Sequence, residues 1–104
     1  MLENIVFLAL KRSGKSIYYY KNKFECDFVI SQGHNISQAI QVTAHMNNEK
    51  TRNREIRGLI EAMDNYKLKT GIILTEDEDE VLQIEKNKII ITPVWKYLLE
   101  EGTS

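Results

Sequence analysis

One cysteine, one proline and five glycines are spread over 104 residues, and each scarcity removes a class of answer. With Cys26 alone no internal disulfide can form, so a reducing, cytoplasmic setting is expected. The single proline leaves no proline-rich linker, and no repeat or low-complexity tract divides the chain. One compact domain over residues 1–104 is therefore expected. The apolar run "IVFLAL" (residues 5–10) falls far short of the roughly 20 residues that span a bilayer. No basic stretch precedes it and no small-residue cleavage site follows, so neither a membrane partner nor a secretory leader is expected. An excess of positive charge is also missing. The formal net charge is -1, which demands no nucleic-acid partner but leaves a local basic face open.

What is present is ordinary globular material, 42% hydrophobic and 28% charged. Leu2, Ile5, Val6 and Ala9 recur at helical spacing, widened by Phe7 and Leu10, and predict a helix over 2–12 that "SGK" closes. Three strands follow, "SIYYYK" (16–21), "FECDFVI" (24–30) and "NISQAIQVT" (35–43), separated by turn-forming "KNK" and "SQGHN". Ile56, Leu59, Ile60 and Met63 mark a long helix over 49–66. "TGIILT" (70–75) reads as a central strand, "EDEDE" (76–80) as a surface turn and "KIIIT" (88–92) as a further strand. Thr92 and Pro93 supply an N-cap and first residue for a last helix through "VWKYLLE". The order α-β-β-β-α-β-β-α predicts an α/β fold, a mixed sheet flanked by helices. A helix beginning almost at Met1 is expected of a piece of a longer polypeptide.

Several motifs have bland explanations. "SGKS" (13–16) resembles the tail of a P-loop, but Ala9 stands where its first glycine belongs, and the strand and helix are in reverse order. His34 and His45 lack a second ligand at metal spacing and read as surface residues. Cys26 reads as a small core filler. Packing is favoured over base stacking for Tyr18, Tyr19 and Tyr20, and Trp95 is expected to anchor the last helix on the sheet.

Asp27 has no such easy explanation, because an ionised carboxylate inside a buried strand is costly unless paired. Alternation puts Glu25, Asp27 and Val29 on one strand face, and Ser37, Ala39, Gln41 and Thr43 on one face of the next. The opposite faces, Phe24-Cys26-Phe28-Ile30 and Ile36-Gln38-Ile40-Val42, suit helix packing. If the two strands form a hairpin, Asp27 and Gln41 approach each other across it. Pairing of Asp27 with a basic side chain is the structural alternative. Glu3 at a helix start complements the helix dipole or joins Asp27. The cations Lys50, Arg52, Arg54 and Arg57 form a solvated face or a contact surface.

An aspartate on one strand and an acid or amide on the next, followed two residues later by lysine, is the pattern of the PD-(D/E)XK nucleases. Their α-β-β-β-α-β core agrees with the order above. More narrowly, the chain resembles the C-terminal nuclease-like domain, of unknown function, of prokaryotic AAA-type P-loop ATPases. The matching pieces are "LEN" (2–4), "IYYYK" (17–21), "DFVI" (27–30), "IQV" (40–42), "KTRNREIRGL" (50–59) and "TPVWKYLL" (92–99), in order along nearly the whole chain. The resemblance implies a restriction-endonuclease-like fold, with the chain as the C-terminal part of a longer ATPase or a stand-alone relative. It places Glu3, Asp27, Gln41 and Thr43 at the catalytic positions, with Asp27 and Gln41 on a Mg²⁺ ion. Thr43 stands in the lysine position, and a neutral hydroxyl supplies no ammonium charge. Lys50, Arg52 and Arg54 are the cations available to substitute or to bind DNA. The function implied is an accessory domain with a degenerate metal site, in DNA or protein contact. Its alternatives are an active Mg²⁺-dependent DNA endonuclease and a protein-interaction module without nucleic acid. An ATPase domain in the same chain, DNA and a second copy are the partners this leaves open.

Overall fold

A computed structural model describes residues 2–102. The element order is α1 (Leu2–Arg12), β1 (Ser16–Lys21), β2 (Glu25–Gln32), β3 (Asn35–Val42), α2 (Glu49–Asn65), β4 (Thr70–Thr75), β5 (Glu80–Ile84), β6 (Asn87–Pro93) and α3 (Val94–Gly102). α1 closes at the expected turn. The Ser13 hydroxyl donates to Leu10 O at 2.6 Å, and Gly14 takes φ +80°, which glycine adopts without strain. α2 starts at Asn48, whose side chain accepts from Thr51 N–H at 3.0 Å.

The six strands form one mixed sheet in the order β1-β2-β3-β4-β6-β5. β1, β2 and β3 pair antiparallel, while β4 lies parallel to both β3 and β6. A parallel step from β3 to β4 requires a crossover, and α2 provides it. The hairpin β5–β6 adds a strand that the expected order lacks. Thr92 and Pro93 continue β6 against β4 and do not cap α3, because parallel pairing reaches Thr75↔Pro93.

Two apolar layers cover the sheet. On one face α2 brings Leu59, Ala62 and Met63 onto Cys26, Val29, Ala39, Ile73, Ile89 and Ile91. On the other, Val6 and Leu10 of α1 and Val94 and Tyr97 of α3 cover Phe28, Ile30, Ile40, Val42 and Leu74. α2 lies close to the strands. A Cβ on Gly58 would collide with Glu25 O, and one on Gly71 would come within 2.8 Å of Leu59 Cγ.

Simple alternation misassigns two core residues. Between Tyr18↔Val29 and Tyr20↔Cys26, β2 advances by three residues while β1 advances by two. That bulge re-phases β2, so Cys26 faces α2 together with Val29. A second bulge, at Ser37 of β3, sends Ile36 to the α2 layer while Ile40 and Val42 face α1 and α3. Trp95 does not anchor α3. It is 61% exposed, and Val94 and Tyr97 fill that role. Tyr20 packs edge-on against Tyr66 with ring centroids 5.9 Å apart, whereas Tyr18 and Tyr19 are exposed. No helix is long and apolar enough to cross a membrane among the described residues.

Candidate functional site

Past the bulge at Ser37, β2 and β3 pair as far as Phe28↔Ile40. Beyond that point side chains take over from the backbone ladder. Asp27 N–H donates to Gln41 Oε1 at 2.8 Å, and Val42 N–H donates to Asp27 Oδ2 at 2.8 Å. The Gln41 amide nitrogen donates to Glu25 O at 2.7 Å and to Glu55 O of α2 at 3.1 Å. Asp27 and Gln41 are therefore neighbours, as strand alternation predicts. Each also serves as a spacer between diverging strands. Gln41 is 1% exposed, and each of its polar atoms has a partner, as burial demands.

Carboxylates gather around Asp27. The Glu3 carboxyl of α1 hydrogen-bonds it, and Glu55 of α2 adds its charge from the other layer. Burial is the main cause that pushes Asp27 up to about 7. The Val42 N–H bond opposes this shift, and Glu3 and Glu55 reinforce it. Glu55 is raised too, first by burial, with Arg54 opposing and Glu3 adding to the shift. Tyr19, exposed on β1, is raised chiefly by its hydrogen bond to Glu25. A pocket lined by Glu3, Asn4, Phe7 and Phe28 opens beside this cluster, and Phe7 stacks on Phe28 at 6.2 Å.

The remaining candidates do not all converge on it. Thr43 turns its hydroxyl to His45 O at 3.4 Å and donates its backbone N–H to Leu74 O at 2.9 Å. Arg52 is held away by an ion pair with Glu80 at 3.0 Å. Lys50 and Arg54 are exposed, and with Arg57 they fall at i, i+4 and i+7 of α2, on one stripe of the helix. Arg57 lies over the Phe24 ring, 5.9 Å from its centroid. Cys26 is buried, its thiol pushed up to about 12 mainly by desolvation, as a core filler should be.

This donor set fits a hard cation only in part. Asp27, Glu3 and Glu55 offer carboxylate oxygens, the ligand type that Mg²⁺ takes. The Gln41 amide, buried and spent on backbone groups, does not fit as a ligand to an ion that keeps several waters. Within the cluster, the positive charge of Arg54 acts on Glu55 and opposes its upward shift.

A second grouping was hidden from the sequence. His45, after β3, and Asp77 and Glu78, after β4, bring one ligand atom each within 4.8 Å of one another. Parallel pairing of β3 and β4 is what unites residues so far apart in the chain. Comparison with curated proteins finds no match. The model of the family described as "Domain of unknown function (DUF4143)" matches residues 1–97, so the chain belongs to that family.

Proposed function

We propose that this domain has a restriction-endonuclease-like core whose metal site has degenerated, and that it serves as a non-hydrolytic accessory unit of a P-loop ATPase, in contact with DNA or protein. The observation that carries this reading is the use made of Gln41. Its amide holds Asp27 N–H, Glu25 O and Glu55 O, so the position homologous by resemblance to an acidic metal ligand acts as a strut. Thr43 at the lysine position, bonded to His45 O, supports the same conclusion. The exposed stripe of Lys50, Arg54 and Arg57 supports contact with a phosphate backbone.

Incubation of supercoiled and single-stranded DNA with the domain and Mg²⁺ or Mn²⁺ tests the loss of hydrolysis. No nicked or shortened product is expected. Metal-dependent cleavage abolished by Asp27→Ala would establish an active endonuclease instead. DNA affinity that falls steeply with salt and weakens in Lys50→Ala/Arg54→Ala supports the nucleic-acid role. A second reading, a protein-interaction module, is favoured by exposed Ile5 and Leu8 on α1 and Trp95 and Leu99 on α3. Sedimentation of the domain over a range of concentrations tests the homodimer form of that reading.

A further inference from the structure

We propose that His45, Asp77 and Glu78 form a binding site for a borderline divalent ion of the Zn²⁺ type, separate from the Asp27 cluster. Exposed acids alone hold no ion. The distinguishing group here is an imidazole delivered by a different loop from the two carboxylates. His45 follows β3 and the acids follow β4, at the carboxyl edge of two parallel strands.

The two loops are fixed to one another before any ion arrives. Glu76 N–H donates to Ala44 O at 3.0 Å, and Met46 N–H donates to Glu78 Oε1 at 2.8 Å. Thr75 Oγ1 both donates to Glu78 O and accepts from Glu78 N–H, each at 2.9 Å. Glu78 thus keeps a second carboxylate oxygen in a defined position. Ligand atoms around a tetrahedral Zn²⁺ with bonds of about 2.1 Å lie about 3.4 Å apart. Closing from 4.8 Å requires a rotamer adjustment of Asp77 and His45, both of which are exposed.

Charge favours occupancy. Of the acids at 76–80, Asp79 is paired with Lys96 and Glu80 with Arg52, each at 3.0 Å. His45 Nε2 lies 3.7 Å from Glu76, so a fourth donor, an oxygen, stands beside the set. The mixed nitrogen and oxygen donors select a transition ion over Mg²⁺. His45 and Asp77 are exposed, so water reaches the ligand atoms to complete the coordination.

Isothermal titration of the tag-free domain with Zn²⁺, repeated with Mg²⁺, tests the site. One equivalent of Zn²⁺ is expected to bind, with a rise in Tm. His45→Ala and Glu78→Gln should each weaken it by about tenfold or more, since even the loss of an outer-shell partner costs that much. Both positions lie at the surface or half-buried, and the side-chain carbonyl introduced by Glu78→Gln still accepts from Met46 N–H, so the fold is preserved. Absence of saturable Zn²⁺ binding overturns the proposal. So does equal affinity for Mg²⁺, which would mark a diffuse acidic patch. Binding that survives His45→Ala but is lost in Asp27→Asn would place the ion at the other cluster and equally overturn it.

Discussion

Replacing Gln41 by leucine tests the strut directly. The substitution keeps the side-chain volume close to that of the amide and removes three hydrogen bonds. Glu55 O retains its partner within α2, but Asp27 N–H and Glu25 O lose theirs beneath α2. Each orphaned group costs about 1–3 kcal/mol. Leucine recovers part of this because no amide has to be desolvated, so a net loss of about 2–5 kcal/mol is expected. Against a typical total of about 5–15 kcal/mol for such a domain, this is a large fraction, readable as a lower urea midpoint at unchanged slope. Gln41→Glu refines the test. Its second oxygen would face two carbonyl oxygens, and burial would raise its pKa. A carboxyl raised on folding favours the native state while protonated, and that benefit is lost as pH rises through the folded pKa. The Gln41→Glu deficit should therefore be smallest near pH 4 and grow toward pH 8. A Gln41→Leu loss below about 1 kcal/mol, or a pH-independent deficit in Gln41→Glu, would refute the assignment of Gln41 as a structural bridge.

Other expectations follow from the same geometry. Gly58→Ala drives a methyl into Glu25 O and the Gln41 amide, and should cost about 3 kcal/mol or more in chemical denaturation. Asp27 is raised to about 7, so the wild-type Tm in EDTA should fall as pH rises from 4 to 8. Asp27→Asn keeps an acceptor for Val42 N–H and should flatten part of that decline, with the variant the more stable of the two at pH 8. Cys26, buried and pushed up to about 12, should resist an aromatic disulfide reagent in the native state and react only at the rate of unfolding. Trp95→Ala should change Tm little, because the indole is exposed.

Much of the fold was legible because its signals are local. Helical periodicity and caps mark α1 and α2, and the short apolar run of β4 betrays a two-sided strand. β5 escaped because "EVLQI" follows directly on an acidic tract, and its turn uses Glu85 at φ +54° where glycine or asparagine would have announced a hairpin. Bulges leave no compositional mark, yet one extra residue inverts every later assignment of face, which is why Cys26 and Ile36 moved to the α2 layer. The proximity of Asp27 and Gln41 followed from alternation and a hairpin. Their bonding did not, since it depends on where the two strands part company. His45 meets Asp77 and Glu78 only because β3 and β4 lie side by side, a relation with no local trace in the sequence.

The extra residue in β2 has a consequence for how this surface can change over time. Excising Asp27 would let Cys26 slide into register with Gln41, and the paired strands could zip onward past Phe28. One in-frame deletion would thus remove the carboxylate that accepts from Val42 N–H, and with it the centre of the acidic cluster.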